Sequence, residues 1–266
     1  IIGNGVVIDP ITLSKELDDL TKIGVNYKKN LSISRKAHLI IPTHKHLDAA
    51  SEIAKGQKKI GSTLRGIGPT YMDKTGRNGV RIGDIESTDF LKKFENLTKK
   101  HLDILKQYNY QAKTIDSDIE IWFNSIKKIK EISFIDSEYF FDKSISKNQK
   151  ILAEGAQGAL LDLDFGTYPF VTSSNTISSG ACNGLGVAPN KINNIIGIFK
   201  AYCTRVGNGP FITELNNRTG IKMAKKGNEF GSTTGRARRC GWIDLPALQY
   251  AITINGVTEL SMMKAD

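Results

Sequence analysis

The chain has 266 residues, of which 39% are hydrophobic and 24% are charged, so it holds enough apolar material for one large domain or two small ones and is not expected to be disordered. Its net charge is +10, but the lysines recur as doublets over the whole chain, which indicates solvated faces rather than a nucleic-acid surface. The three cysteines show no paired spacing, and the apolar stretches are far shorter than the ~20 residues of a membrane helix. We therefore expect a soluble, cytoplasmic protein without a disulfide framework.

The N-terminal part of the chain predicts alternating helices, strands and turns. Apolar residues at helical spacing after Asp9 predict a first helix that ends at Gly24. Thr43 is a candidate N-cap for a second helix that runs to Gly56. Strands are expected at 31–34 and 39–41, and glycine-rich turns at 60–69 and 76–81.

Residues 87–148 form a lysine-rich, almost glycine-free block that predicts helices. One helix is expected to begin at Ser87 or Thr88 and a second to follow it, each with apolar residues on one face. The expected core residues are Phe90, Phe94, Leu97 and Ile104 in the first helix and Ile119, Trp122, Ile126 and Ile129 in the second. These rows indicate packing and imply no chemistry.

Glycine and arginine concentrate where a binding site is expected. Residues 155–241 hold 14 of the 25 glycines, and their loops are rich in hydroxyl and amide side chains. Seven of the nine arginines lie in or beside glycine-rich segments, although lysine is the common cation elsewhere. Because a guanidinium is a planar fork that suits phosphate and carboxylate, this placement favours anion sites in these loops.

Two segments of this region admit both a functional and a structural interpretation. Residues 151–161 suggest a short strand, two glycines and a helix start, which together can hold an anion or can simply be a tight turn. In residues 166–176 a row of hydroxyl and amide side chains follows a Tyr-Pro corner. That row can bind phosphate or ribose oxygens, or it can satisfy its own backbone.

The arginine loop, residues 227–242, is a stronger candidate. Arg236, Arg238 and Arg239 lie within four positions, so their charges repel one another, and the flanking glycines disfavour a helix that would separate them. A bound anion would offset that repulsion. We therefore favour anion binding over a solvated basic loop.

The last three residues, 264–266, follow a predicted strand with the sequence Lys-Ala-Asp. A carboxylate there can accept the N1 and amino hydrogens of guanine while the lysine stem packs over the base. The histidines give no comparable signal. We find no Ser, Cys or carboxylate context around His44, His46 or His101 that would identify a catalytic base.

Six segments occur in an order known from one enzyme family. They are residues 3–7 (GNGVV), 66–71 (GIGPTY), 154–158 (EGAQG), 166–175 (GTYPFVTSSN), 206–211 (VGNGPF) and 233–242 (TTGRARRCGW). With them the whole chain resembles the adenylosuccinate synthetase family. Departures from the family pattern at Leu64, Ile212 and Met263 leave the polar contacts in place.

The resemblance implies an α/β fold with a large, mainly parallel sheet flanked by helices, related to the P-loop nucleotide hydrolases and carrying a helical insertion. Residues 1–266 would form one incomplete domain of that family, with a helical subregion at 87–148. Family members ligate IMP and L-aspartate to adenylosuccinate through a 6-phosphoryl-IMP intermediate. They hydrolyse GTP to GDP and phosphate in this reaction, which commits IMP to AMP synthesis. They are cytoplasmic, Mg²⁺-dependent homodimers, so no nucleic-acid or membrane partner is expected.

The resemblance also implies a role for individual residues. IMP contacts are implied for Thr63, Gln157, Thr172, Val206 and Arg236, and for Arg77, which would reach the IMP phosphate of the partner subunit. An aspartate-binding loop is implied for Ser232, Thr233, Thr234, Gly235, Arg236, Ala237 and Arg238. GTP contacts are implied for Arg238, Lys264, Ala265 and Asp266.

Parts that the family uses for catalysis have no counterpart in this sequence. The phosphate loop, with its catalytic Asp and Mg²⁺-binding backbone, and the catalytic His would precede Ile1, and a part of the GTP pocket would follow Asp266. We therefore expect no catalytic residue and no metal ligand in this sequence. An internal fragment of the enzyme is the favoured interpretation, and the alternative is a non-catalytic remnant that binds nucleotide or only dimerises.

Overall fold

The computed structural model describes residues 1–231 and 235–266. The chain divides into two units. The first unit comprises residues 1–153 and 181–187, and the second comprises residues 154–180 and 188–266. Helices and short strands occur in both.

The first unit alternates helices with short strands over most of its length. In chain order its elements are β1 (Val7–Ile8), α1 (Pro10–Lys22), α2 (Tyr27–Asn30), β2 (Ser32–Ser34), β3 (His38–Leu39), α3 (Pro42–Ala54), α4 (Ile67–Thr75), α5 (Phe90–Gln107), α6 (Ile115–Ile129), β4 (Ser133–Ile135) and α7 (Ser137–Ser146). Short 3-10 helices lie at Gly56–Lys58 and Ile82–Glu86.

Helix α1 begins and ends as the sequence predicts. The Asp9 side chain accepts a hydrogen bond from the Ile11 amide at 3.2 Å, and Pro10 occupies the first turn, where its missing N–H costs nothing. Gly24 follows the helix with φ 79°, a left-handed conformation that glycine adopts without a Cβ penalty.

Two expectations for the helices that follow are wrong. Thr43 does not cap α3: the helix begins one residue earlier, at Pro42, and Thr43 lies buried in its first turn. The segment predicted as turns at 60–69 contains the start of α4 at Ile67. Gly66 precedes α4 with φ 77°, and a Cβ there would lie 2.9 Å from His44, so this glycine marks a close approach before a helix.

The core of the first unit lies between the strands and the predicted apolar faces of α5 and α6. Phe94 and Leu97 of α5 and Trp122, Ile126 and Ile129 of α6 are buried. The indole N–H of Trp122 donates to the carbonyl of Ile40 at 2.8 Å. The predicted core residues Phe90, Ile104 and Ile119 are partly buried, and α5 begins at Phe90, after the start that its sequence predicts.

The second unit has longer loops between its regular elements. Helix α8 (Ser179–Leu185) carries the chain back to the first unit at Ala181. The elements after it are β5 (Ile196–Lys200), β6 (Cys203–Arg205), α9 (Arg218–Lys226), β7 (Arg239–Gly241), α10 (Leu245–Asn255) and β8 (Glu259–Met263). Short 3-10 helices lie before α8, at Ala159–Leu161, and after it, at Pro189–Lys191.

The described strands form four two-stranded sheets, three of them parallel. β1 pairs with β3, β2 with β4, and β5 with β8, whereas β6 and β7 are antiparallel. The predicted α/β class with mainly parallel pairing is therefore confirmed. In the β5–β8 pair, Lys200 lies opposite Met263, so the carboxyl ends of the two strands bring residues 200 and 264 to one edge.

The structure also bears on two expectations from composition. All three cysteines are free thiols, and Cys240 is the buried one. Among the described helices, none combines the length and the hydrophobicity that crossing a bilayer requires.

Candidate functional site

The residues implied as ligand contacts are distributed over both units. Thr63 and Arg77 belong to the first unit. Gln157, Thr172, Val206, Arg236, Arg238 and the end of the chain at 264–266 belong to the second. Ser232, Thr233 and Thr234 of the implied aspartate loop lie outside the described residues.

Thr63 is exposed in a loop that two acidic side chains of α3 hold in place. The two carboxylate oxygens of Asp48 accept from the Ser62 hydroxyl at 2.6 Å and from the Gly66 amide at 2.9 Å. Glu52 accepts from the amides of Gly61 at 3.0 Å and Ser62 at 3.3 Å. The loop therefore has a fixed backbone on both sides of Thr63.

A buried carboxylate joins α3, α4 and α5. One oxygen of Asp73 lies 3.0 Å from Nε2 of His44 and 2.7 Å from Nε2 of His101, and its other oxygen accepts from Nζ of Lys100 at 2.8 Å. Burial opposes the charged form, but hydrogen bonds from the two imidazoles and the lysine outweigh it and hold the pKa of Asp73 well below its usual range. The expectation that no histidine has a carboxylate context is therefore wrong, because the partners meet only in three dimensions.

His44, Asp73 and His101 have the spacing of a metal site, with ligand atoms within 4.8 Å of one another. Their hydrogen bonds suit a framework better. Nδ1 of His44 accepts from the Ile41 amide at 2.9 Å, and burial lowers the pKa of His44 to about 4. The neutral ring therefore carries its proton on Nε2 and donates it to Asp73, whereas a metal would need that nitrogen unprotonated.

Arg77 follows α4 in a turn that Asp73 also holds. The carbonyl of Asp73 accepts from the amides of Asn78 at 2.9 Å and Gly79 at 3.2 Å. Arg77 itself is exposed and has φ 63°, so its backbone adopts a left-handed conformation that is uncommon for a residue with a Cβ. Asp73 thus connects the buried histidine pair with the turn that presents Arg77.

In the second unit, Asp162 organises the loop that contains Thr172. This buried carboxylate accepts from four backbone amides, those of Asp164, Phe165, Thr176 and Ile177, at 2.6 to 3.2 Å. Burial opposes the charged form, but these four N–H groups together lower the pKa of Asp162. The Thr172 amide donates to the carbonyl of Leu161 at 2.9 Å, which fixes its position in this loop.

Arg205 links the Thr172 loop to the turn that contains Val206. Its Nη2 donates to the Thr167 hydroxyl at 3.1 Å and to the Phe170 carbonyl at 3.0 Å, and its Nε donates to the Asn208 carbonyl at 3.1 Å. Burial, followed by repulsion from Arg239, lowers the pKa of Arg205. Arg205 was not among the implied contacts.

The guanidinium of Arg236 lies beside Gly207, the residue that follows Val206 in the chain. Gly207 has φ 76°, and a Cβ on it would lie 2.8 Å from Nη2 of Arg236. Glycine at this position therefore leaves room for the guanidinium beside the half-exposed Val206.

The segment that precedes this region differs from its prediction. Residues 151–156 adopt no regular secondary structure, so the short strand predicted there is absent, and a 3-10 helix at Ala159–Leu161 follows. Gln157 is exposed with φ 63°. A Cβ on Gly155 or Gly158 would meet nothing within 4 Å, so the space beside this turn is open and close packing does not explain its glycines.

The guanidinium groups of the arginine loop point to different partners. Nη1 of Arg238 lies 3.0 Å from Glu229, whereas Nε of Arg239 lies 3.5 Å from Glu214 and its Nη2 donates to the Gly209 carbonyl at 2.9 Å. The chain's own acids therefore offset part of the repulsion that the sequence predicts among these arginines.

Lys264 reaches back to the same glutamate. It has φ 54°, and its ammonium donates to the Gly227 carbonyl and lies 3.0 Å from Glu229. Ala265 and Asp266, which follow it, are exposed. The segments implied for aspartate and for guanine thus meet at one buried carboxylate.

Sequence reasoning missed the residues that hold the loops: Asp48, Glu52, Asp73, Asp162, Arg205 and Glu229. Their partners are backbone amides or side chains from other segments, as in the Glu229 pair with Lys264, 35 residues apart. Arg205 carried a local signal, its position beside a glycine-rich segment, whereas nothing local pointed to the five acids.

Comparison with known proteins gives the family of this α/β chain. A family model described as adenylosuccinate synthetase matches residues 1–266. The adenylosuccinate synthetases of Flavobacterium johnsoniae and Flavobacterium psychrophilum are 59% and 60% identical to it over 267 residues, which cover 100% of this chain and 63% of each relative. A solved structure, that of the fully ligated adenylosuccinate synthetase from Plasmodium falciparum, matches with a TM-score of 0.87 at 39% identity, covering 98% of this chain and 61% of its own.

The chain therefore belongs to the adenylosuccinate synthetase family, as its sequence motifs indicated. It spans about 63% of the length of the curated relatives that it matches.

The contacts of Asp73 lead to a prediction about stability. Asp73→Asn should lower the free energy of unfolding of the first unit by about 3 kcal/mol, because it removes a buried charge that three donors share. Urea unfolding followed by the fluorescence of the buried Trp122, in a chain with Trp242→Phe, measures this. The matched control is Asp103→Asn, which breaks an exposed ion pair with Lys106 and should leave the midpoint unchanged. Equal midpoints for the two variants would contradict the framework role of Asp73.

Proposed function

We propose that this chain supplies most of the IMP, aspartate and GTP contacts of a synthetase that ligates IMP and L-aspartate to adenylosuccinate with hydrolysis of GTP. One observation carries the proposal: Arg238 of the implied aspartate loop and Lys264 of the implied guanine segment both contact Glu229. The identity of 59% to the Flavobacterium johnsoniae synthetase over the whole chain supports the same function. The reaction is the step that commits IMP to AMP.

The IMP site is proposed to consist of the residues for which the family resemblance implies an IMP contact. Thr172, Gln157, Val206 and Arg236 would contact IMP within one subunit, with Thr63 as a further contact. The closeness of the Arg236 guanidinium to Gly207, the residue after Val206, supports a shared pocket for Val206 and Arg236. Hydroxyl, amide and guanidinium donors suit the phosphate and ribose oxygens of a nucleotide.

The arginine loop is proposed to hold L-aspartate. Gly235, Arg236, Ala237 and Arg238 would form this site together with residues 232–234, and Arg238 would also lie near GTP. A guanidinium binds a carboxylate through two parallel N–H donors, which fixes the orientation of the substrate as well as its position. Such orientation is what an amine needs before it displaces phosphate from C6 of the purine.

The guanine of GTP is proposed to lie against residues 264–266. The ammonium of Lys264 is occupied by Glu229 and the Gly227 carbonyl, which leaves its aliphatic stem to pack on the base. The exposed carboxylate of Asp266 would accept the N1 and amino hydrogens of guanine. An adenine, which offers no N1 hydrogen, would lose that contact.

Mg²⁺ is the cofactor proposed for the complete enzyme, where it would neutralise charge on the phosphates of GTP. The residues with metal-ligand spacing, His44, Asp73 and His101, do not fit this ion, because Mg²⁺ prefers oxygen ligands in an octahedral arrangement. We propose that its ligands, the catalytic Asp and the catalytic His come from parts of the enzyme that these 266 residues do not supply. The part of this chain is to bind and orient the three substrates.

The proposal is tested in a chimera, an enzyme of full length in which this sequence replaces the matching segment of the Flavobacterium johnsoniae synthetase. We expect the chimera to form adenylosuccinate from IMP, GTP and aspartate. A chimera that folds, as judged by circular dichroism, and yet forms no product while the parent enzyme does would contradict the function.

The 266-residue chain by itself should form no detectable adenylosuccinate, because neither the proposed base nor the proposed catalytic His is encoded in it. Product assay of the purified chain beside the chimera measures this. Turnover by the chain alone would show that the essential groups lie within residues 1–266. Folded chain that binds GDP but never regains activity in the chimera would instead favour the alternative of a non-catalytic remnant.

Arg77 is exposed in its turn and is proposed to reach the IMP phosphate of the partner subunit in a homodimer. Arg77→Leu in the chimera should weaken the use of IMP more than that of GTP, by ~2 to 4 kcal/mol in transition-state stabilisation, if a desolvated charge-assisted contact is lost. Mixing this variant with a chimera defective in Arg236 should recover activity in hybrid dimers. If the mixture recovers no activity, the proposed contact of Arg77 with the IMP of the partner subunit is refuted.

A prediction for the arginine loop distinguishes binding of aspartate by two parallel guanidinium donors from attraction by positive charge alone. Arg236→Lys or Arg238→Lys in the chimera should raise the KM for aspartate about tenfold or more, because lysine keeps the charge but loses the two parallel donors. Arg238→Lys should also raise the KM for GTP. Steady-state kinetics with aspartate and GTP varied separately measures both constants.

The matched controls are Lys225→Gln and Lys226→Gln, which remove charge from the exposed last turn of α9. Neither should change the KM for aspartate or GTP. If all four variants behave alike, and added salt reproduces their effect, the loop is a solvated basic surface and the proposed aspartate site is refuted.

A further inference from the structure

One buried carboxylate of the second unit is not among the proposed substrate contacts. Glu229 is 1% exposed and lies between α9 and β7. Its oxygens contact the Tyr202 hydroxyl at 2.5 Å, Nζ of Lys200 at 2.9 Å, Nζ of Lys264 at 3.0 Å and Nη1 of Arg238 at 3.0 Å. Three cations surround one carboxylate, so the cluster keeps an excess of positive charge.

The contacts of Glu229 close the base of the arginine loop. Its carbonyl accepts from the Arg238 amide at 2.9 Å while its side chain holds the Arg238 guanidinium. The next pair, Phe230 and Ala237, forms an antiparallel bridge, and the Gly231 amide donates to the Arg236 carbonyl at 2.8 Å. The orientation of Arg238 therefore depends on Glu229 through both backbone and side chain.

Glu229 also fixes Lys264. A left-handed backbone is unfavourable for a residue with a Cβ, and Lys264 adopts it, with φ 54°. The contacts of its ammonium with Glu229 and with the Gly227 carbonyl offset that cost. The same contacts set the direction of the lysine stem and of the residues that follow it.

We propose that Glu229 is a positioning residue that couples the aspartate loop to the guanine-reading segment by holding Arg238 and Lys264 in one buried ion cluster. This inference rests on the proposed function. Because Arg238 and Lys264 bind oxygens of a single carboxylate, a displacement of one changes the position available to the other. Binding of guanine at one end thus prepares the arginine loop at the other.

The charge of Glu229 persists over the working range of pH. Burial opposes ionisation, but hydrogen bonds from Tyr202, Lys200 and Lys264 outweigh it and lower the pKa of Glu229 to about 2. Replacement by glutamine therefore removes a permanent charge with little change of shape.

The decisive experiment changes a residue of the guanine segment and measures the KM for aspartate. Lys264→Met in the chimera should raise the KM for aspartate about threefold or more at saturating GTP, although residue 264 is not implied to touch aspartate. Glu229→Gln should raise the KM values for aspartate and GTP together, about tenfold each, and change that for IMP less than about twofold. A loss of folded enzyme would lower kcat alone. It would not raise the KM values for aspartate and GTP while leaving that for IMP nearly unchanged.

Two controls separate coupling from general charge. Lys200→Met removes a cation of the cluster but leaves Glu229 between Arg238 and Lys264, so both KM values should stay within about threefold. Glu259→Gln removes an exposed carboxylate from β8 and should change none. A rise in the KM for GTP alone in Lys264→Met, or a rise in only one of the two constants in Glu229→Gln, overturns the inference.

A measurement that needs no turnover distinguishes this inference from the function on which it rests. Hydrogen exchange at the Arg238 and Gly231 amides, which close the base of the arginine loop, should be at least about fivefold faster in Lys264→Met than in the unchanged chimera or in Glu259→Gln. Unchanged protection overturns the coupling even if the chimera is a fully active synthetase. Faster exchange in a chimera that makes no adenylosuccinate would support the coupling while contradicting the function.

Discussion

An ionised carboxylate that is removed from water must be matched by donors, and this constraint fixes the loops of the chain. Asp162 gathers four backbone amides, Asp73 gathers two imidazoles and an ammonium, and Glu229 gathers a hydroxyl and three cations. Each of these acids joins separate segments of the chain. Loops that carry the proposed substrate contacts are thereby held without regular secondary structure of their own.

The regular elements were predictable because their signal is local. The apolar faces of α5 and α6 repeat at helical spacing, and the buried Phe94 and Trp122 lie where that spacing puts them. Helix α4 was missed because Gly66, Gly68 and Pro69 indicate a turn, although a left-handed glycine and an early proline are also compatible with a helix start.

The framework of the candidate site could not be predicted in the same way. Asp73 and His101 are 28 residues apart, and Glu229 and Lys264 are 35 apart. No periodicity relates such pairs, so their meeting is a property of the tertiary structure alone. The sequence predicted that the arginines would occur in loops, but the acids that divide them, Glu229 for Arg238 and Glu214 for Arg239, became visible only with the fold.

The parallel pairing of β5 with β8 places residues 200 and 264 at one edge and so fixes the geometry around Glu229. A slip of this pair by one residue would displace Lys264 by ~3.3 Å along the strand and turn its neighbours to the opposite face. That displacement exceeds the tolerance of a hydrogen bond, so a misregistered strand pair would lose the contact between Lys264 and Glu229. Because a buried glutamate that loses one of its cations is less stable, the cluster favours the native register of this strand pair over a shifted one.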